Sequence, residues 1–432
     1  MKSPLPKRPR VLALILAGGQ GGRLDVLTER RAKPAVAFGG TYRLIDFALT
    51  NCMHSGLSDV WVVEQYRPHD LNEHLANGRP WDLDRTVGGL QVLPPYQTRG
   101  GENDAEAGFA EGNADALFQQ RDFLRAWNPD VLLVLSADHV YRLDFRDVLD
   151  AHFAQSGAEV TLVTTRVPRG EANRFGVVQT TKRGGRVTAF DYKPDDPPAD
   201  PDAGDDALAT VTAEVFVYDA AVLLDTLDAL AAEKGDENGD KKVEASSGLR
   251  DFGHELLPRL VARGHAHAFA LDGYWRDVGT VESYWQAHQD LLGDPPALVL
   301  DDSAWPLRSA VVPRAPARIF QSARVDDSLV SPGGVVRGHV SRSVLGPGVV
   351  IEAGATVRNS LLGQNVIVAA GAVVDHAILD ENARVGAGAT IGRKTGRTSG
   401  VPVTADDLVV IGQNVVLPAR AHRKPGSRTP PA

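Results

Sequence analysis

The chain has one cysteine, Cys52, in 432 residues. That excludes an intramolecular disulfide framework and a cysteine-based zinc site, and it fits a reducing cytoplasm. Long apolar runs are missing as well. No stretch approaches the roughly 20 apolar residues of a membrane span. Positive charge is not in excess: 46 Lys and Arg face 55 Asp and Glu, for a formal net charge of −9. A nucleic-acid polymer is therefore not the expected partner, and basic residues gathered in a cleft would meet small phosphates. The start, MKSPLPKRPR then VLALILAGG, has the basic-then-apolar order of a signal peptide. Its apolar part is short, however, and cleavage would delete the strand that leads into the most informative segment.

That segment is Leu14–Leu24, LILAGGQGGRL. An aliphatic strand runs directly into a glycine-dense turn ending in Arg23. Glycine permits positive φ and has no Cβ to hold a phosphate away, so successive backbone amides can point at one oxyanion. Arg23 adds a forked, permanent cation. No Gly-Lys-Ser/Thr follows, as a Walker loop requires, and Leu24 stands where a dinucleotide fingerprint has its third glycine.

At this length two domains are expected. Over 11–292, short aliphatic runs alternate with amphipathic ones, which indicates an α/β domain with a Rossmann-like, mostly parallel sheet. Val11–Ala17, Asp59–Val63, Val131–Leu135, Glu159–Thr165 and Val211–Tyr218 read as strands, and Ala114–Ala126 reads as a helix. Two polar loops, Pro194–Asp202 and Ala232–Gly248, read as surface insertions in preference to mobile covers of a site. A proline-rich connection, 293–318, precedes a different rhythm over 319–420. Leu345, Ile351 and Val357 are six apart, as are Leu362, Val368 and Val374, and again Leu379, Val385 and Ile391. Each triplet follows the last after five residues, a repeat of 6 + 6 + 5 = 17. Gly348, Gly354, Asn365, Gly371, Asn382 and Gly388 fall three residues after the first two aliphatics of each triplet, where a corner needs left-handed backbone. The pattern predicts a left-handed parallel β-helix. His339 and His376 lie in or near it, but a solvated outer face explains them better than acyl transfer.

Two carboxylates carry the chemistry. Asp138 follows the apolar run VLLVLS, at the carboxyl end of a strand, where open α/β sheets bind ligands. Asp277 lies in GYWRDVGTVESY. Converging, they would hold one Mg²⁺ together with substrate phosphate oxygens. Lys33 and Lys193 each precede a proline, which biases both toward extended backbone.

Together these segments resemble the nucleotidyltransferases that make nucleotide sugars, most closely the bacterial ADP-glucose pyrophosphorylase (glucose-1-phosphate adenylyltransferase) family. The more specific pieces are RAKPAVAFGGTYRLIDFALTNC at Arg31–Cys52, ADHVYRLD at Ala137–Asp144 and YWRDVGT at Tyr274–Thr280. The resemblance implies ATP and glucose 1-phosphate as substrates, with Gly18, Gly19, Gly21, Arg23 and Lys33 holding the triphosphate and Asp138 and Asp277 ligating Mg²⁺. It further implies Lys193 on the sugar phosphate, Gly176 beside the sugar, Gln97 at the adenine, and Gly112, Asp115, Tyr192, Thr212 and Trp275 around the substrates. A homotetramer with a small-molecule effector would fit the same family.

The chain departs from the pattern at several points. Phe109-Ala110-Glu111-Gly112 stands for the family's Trp-Tyr-x-Gly, Tyr192 for its Glu, and Thr212-Ala213-Glu214-Val215-Phe216 for its Ser-Met-Gly-x-Tyr. Gly22 stands where threonine is common, and Thr41 replaces an activator-site lysine. Because these changes fall mostly in the sugar and nucleotide pockets, two alternatives stay open. One is a nucleotidyltransferase for another base or sugar, such as glucosamine 1-phosphate. The other is a catalytically weak regulatory subunit of an active homologue.

Overall fold

A computed structural model describes residues 9–18, 21–94, 110–200, 208–237, 249–392 and 403–432. The first part is built on a nine-stranded sheet. Its strands are β1 (Val11–Ala17), β2 (Asp59–Glu64), β3 (Gly89–Leu93), β4 (Val131–Ser136), β6 (Val160–Pro168), β7 (Gly176–Thr180), β8 (Val187–Tyr192), β9 (Leu208–Asp219) and β10 (Ala266–Ala270). The main path runs β8-β7-β9-β4-β1-β2-β3, with β6 against β9 and β10 against β6. Pairings among β4, β1, β2 and β3 are parallel, as is β6 with β10. Long β9 runs antiparallel to β4, β6 and β7, and β8 runs antiparallel to β7. The sheet is therefore mixed, with its parallel portion around the glycine turn.

β1 is apolar throughout because both its faces are covered. Leu12, Leu14 and Leu16 enter one core with Leu132, Val134 and Phe216. Ala13, Ile15 and Ala17 enter the other with Val60, Val62, Leu133 and Leu135. The period of two thus appears as membership of two cores rather than as alternation with polar residues. The expected helix over Ala114–Ala126 is two helices, Asn113–Gln119 and Arg121–Trp127. Buried Gln120 interrupts them at φ −93°, ψ 0°, its N–H reaching back to Leu117 O at 3.1 Å in a tightened last turn.

The second part is a left-handed parallel β-helix of three six-stranded sheets. Val340, Val357, Val374 and Ile391 pair in succession at the 17-residue spacing. All six corner residues named from the sequence have φ between 57° and 73°. The coil continues past 420, to Thr429. Its last strands, His422–Arg423 and Arg428–Thr429, lack the aliphatic rhythm by which the repeat was recognised. One outer face is apolar too. Val344, Leu361, Ile378 and Val410 pack with Leu24, Val26, Leu27, Val36 and Phe38, so the segment after the glycine turn shares a core with the coil.

Candidate active site

Four elements bring the chemistry together. β1 delivers the glycine turn, and Lys33 opens the short 3₁₀ turn Lys33–Ala35. Beyond β4 the chain passes Ala137 and Asp138 into β5 (His139–Tyr141), which pairs antiparallel with β11 (Trp275–Asp277). That ladder sets Asp277 opposite His139, next to Asp138. Two residues 139 positions apart in sequence thereby converge.

Lys33 links them: its Nζ bonds Asp138 Oδ2 and lies 3.7 Å from Asp277 Oδ1. Ser136 Oγ donates to Asp138 Oδ1, and Arg174 Nη2 donates to Asp277 Oδ2 at 3.1 Å. Burial alone would raise the Asp138 carboxyl; Lys33 and His139 outweigh it and hold the group well below the usual carboxylate range. Burial likewise disfavours the Lys33 charge, but Asp138 and Asp277 more than restore it. His139 is 3% exposed, with Nδ1 on Ala213 O at 3.2 Å and Nε2 facing Asp138, Asp277 and Glu214 at 3.6, 3.6 and 4.0 Å. Burial opposes its protonation, and the three carboxylates win, raising its pKa.

Which residues could hold a cation follows from that geometry. One ammonium bridges Asp138 and Asp277, so their hard oxygens can share a single positive centre, as a divalent ion requires. Asp138, His139 and Glu214 also offer ligand atoms within 4.8 Å of one another. A divalent-metal site thus fits the residues present.

Around this centre lie the remaining residues expected at a site. A Cβ on Gly18 would stand 2.6 Å from Gln65 Cδ, at the movable end of that side chain, whereas Gly21 has φ 67°, which favours glycine. Arg23 is exposed, its charge bearing on the Tyr192 phenol. Tyr192 pairs with Gly176 across the β8–β7 ladder, and a Cβ on Gly176 would lie 3.5 Å from Thr212 Oγ1, which sets the three side by side. Lys193 Nζ lies 4.5 Å from the Tyr192 ring centroid. Trp275 donates to Ala213 O at 3.3 Å and meets His139 edge-on, bracing the centre.

Two further expected residues are held by local contacts. Asp115 is fully buried, accepting from Glu111 N and Gln119 Nε2 at the start of its helix, and Gly112 is crowded by the Arg250 backbone, 2.4 Å from where a Cβ would stand. Gly19 and Gln97 lie outside the described residues. The pre-proline expectation fails at both lysines. Lys33 begins a 3₁₀ turn, and Lys193 has φ 50°, held there by its N–H on Phe175 O at 2.9 Å.

Sequence reasoning did not select His139, Arg174 or Glu214 for the site. The first adjoins Asp138 and the second precedes Phe175-Gly176, so proximity to motifs was their only signal. Glu214 had a different one, a glutamate where a glycine belongs.

Comparison with known proteins agrees with this architecture. Residues 12–293 match the nucleotidyl transferase family model, and residues 315–411 match the GlmU-like C-terminal hexapeptide model. The class is thus that of nucleotidyl transferases carrying a hexapeptide coil. A glucose-1-phosphate adenylyltransferase of Thermotoga neapolitana is 41% identical over 350 residues, 81% of this chain and 76% of that protein. Those of Bacillus cytotoxicus and Clostridium acetobutylicum are each 38% identical, over 81% and 80% of this chain and 86% and 83% of theirs. The chain belongs to the glucose-1-phosphate adenylyltransferase family.

Proposed function

We propose that this enzyme transfers AMP from ATP to α-D-glucose 1-phosphate, forming ADP-glucose and pyrophosphate for glycogen or another α-glucan. The convergence of Asp138 and Asp277 on Lys33, beside the glycine turn, carries the reading. A sugar-phosphate oxygen attacks the α-phosphorus in line, and the bond to the oxygen bridging the α- and β-phosphorus atoms breaks as pyrophosphate leaves. The nucleophile is already an anion, so positioning and charge stabilisation supply the acceleration. Amides of Gly18, Gly19 and Gly21, with Arg23 and Lys33, hold the triphosphate. Lys193 grips the sugar phosphate, with Gly176, Tyr192, Thr212 and Trp275 shaping its pocket. Asp138 and Asp277 hold Mg²⁺, which when bound neutralises charge on the reacting phosphate.

Further parts of the proposal are a homotetramer with contacts through the coil and a small-molecule metabolic effector. None of the described helices is long and apolar enough to cross a membrane. That supports a cytoplasmic enzyme.

The test is pyrophosphate release with a panel of triphosphates and sugar 1-phosphates, with and without Mg²⁺. ATP with glucose 1-phosphate should lead. The replacements at Tyr192 and Glu214 favour a second reading in which another sugar, such as glucosamine 1-phosphate, leads instead. Silence across the panel from folded protein supplied with Mg²⁺ would indicate a regulatory subunit.

A further inference from the structure

Glu214 has φ 53°, a left-handed conformation that glycine adopts freely and glutamate rarely does. It sits where the pairing of β9 with β6 shifts register, between Thr212 and Phe216. This irregularity aims the side chain out of the sheet and into the cleft. There it lies beside Asp138 and His139, within electrostatic reach of Asp277 and of the Tyr192 phenol, on the strand that carries Thr212. Its side chain is 39% exposed, with His139 Nε2 at 4.0 Å and an Asp138 carboxylate oxygen within 4.8 Å, and it makes no hydrogen bond among the described residues. Both carboxylate oxygens are therefore left to accept from a ligand.

The other acceptors of the pocket are engaged. Asp138 takes Lys33 and Ser136, Asp277 takes Arg174, and Asp251 takes the Tyr192 hydroxyl at 2.6 Å. Tyr192 itself is pinned. Its ring lies 1.9 Å from where a Cβ on Gly253 would stand, and it meets His254 edge-on at 4.7 Å. The phenol's hydrogen is thus committed to Asp251, whereas the Glu214 carboxylate makes no hydrogen bond among the described residues.

We infer that Glu214 is the specificity-determining residue for the sugar, its carboxylate accepting hydrogen bonds from hydroxyl groups of the bound sugar 1-phosphate. This rests on the sugar-phosphate reading above. A charged acceptor in a partly desolvated cleft discriminates strongly between sugars that present donors to it and sugars that do not. The inference also accounts for a glutamate being kept in backbone that glycine would occupy without strain.

The experiment compares wild type with Glu214→Gly and Glu214→Gln. Glycine suits the left-handed site, so Glu214→Gly should fold with an unchanged or higher Tm. Calorimetry follows glucose 1-phosphate binding, and steady-state pyrophosphate release follows KM for glucose 1-phosphate and for ATP and the Mg²⁺ activation midpoint. Glu214→Gly should weaken sugar-phosphate binding and raise its KM about tenfold or more, leaving the KM for ATP and the Mg²⁺ midpoint unchanged. Glu214→Gln, which keeps one acceptor, should fall between. Unchanged sugar-phosphate binding overturns the inference, and so does a shift confined to the Mg²⁺ midpoint, which would make Glu214 a metal ligand. Wild type that binds glucose 1-phosphate but turns over no triphosphate sinks the transferase reading alone, and the calorimetric comparison still decides Glu214. Wild type that does not bind glucose 1-phosphate ends both.

Discussion

Arg31 Nη2 lies 2.5 Å from Asp380 Oδ2, both side chains buried, with Glu381 Oε1 3.1 Å from the other guanidinium nitrogen. Arg31 is two residues from Lys33, so the loop carrying that lysine is fastened to the coil. Removing one partner of a buried pair strands the other without water. Asp380→Asn should cost about 3 kcal/mol in urea unfolding, the low end for such losses because Glu381 remains. It should also lower kcat/KM by loosening Lys33. A loss of a few tenths would mean that the pair does not set the loop.

In the proposed reaction Lys33 and Asp138 act on the phosphates directly. Lys33→Ala and Asp138→Asn should each reduce kcat for pyrophosphate release by about 10² to 10³, the scale for removing one preorganised electrostatic group. The secondary structure, followed by circular dichroism, should be retained. Turnover near wild type in Asp138→Asn would refute its metal role.

His288 makes stability depend on pH. It is buried, accepting at Nε2 from Gly39 N–H at 3.1 Å and holding Tyr284 O with Nδ1 at 2.8 Å, an arrangement that needs the neutral ring. Burial pulls its pKa down from 6.5 to about 4. The unfolded chain takes up this proton below about 6.5 and the folded chain does not until about 4, so stability is full above the first value and drains away toward the second. The contribution is on the order of 3 kcal/mol. Urea unfolding at pH 7.5 and 4.5 should show a smaller decline for His288→Gln than for wild type; parallel declines would exclude His288 as a source.

Asn382 tests the corners of the coil. It has φ 61°, accepts from Asn365 Nδ2 and donates through Nδ2 to Asn414 Oδ1, each at 3.1 Å. Asn382→Gly should change stability by only a few tenths of a kcal/mol, whereas Asn382→Ala should cost about 1 kcal/mol because alanine resists left-handed backbone. Equal melting temperatures for the two variants would contradict this.

Much of the architecture was legible because local rules governed it. β1 has the predicted limits, Val11–Ala17, since an unbroken aliphatic run ending in glycines leaves little choice. The corners of the coil followed from Gly and Asn at fixed offsets. The strand of 131–136 was recognised one residue short at its end, and that of 208–219 three short at its start and one at its end, because strand ends depend on what pairs beside them. The pre-proline bias misled at Lys193, where a tertiary hydrogen bond to Phe175 O overrode a local preference. That Asp115 is buried at a helix start, accepting from the Glu111 N–H, is a placement that motif spacing does not encode.

By itself, then, the sequence determined the strand-and-glycine turn, the triangular coil and the identities of the two aspartates, because each is written in contiguous residues or a regular period. Only the tertiary structure decided that His139 stands opposite Asp277, that Lys33 spans both carboxylates and that Arg31 ties their loop to the coil. The same holds for Glu214. Its place in the cleft comes from a register shift between paired strands, and register is a property of two segments that one segment alone does not specify.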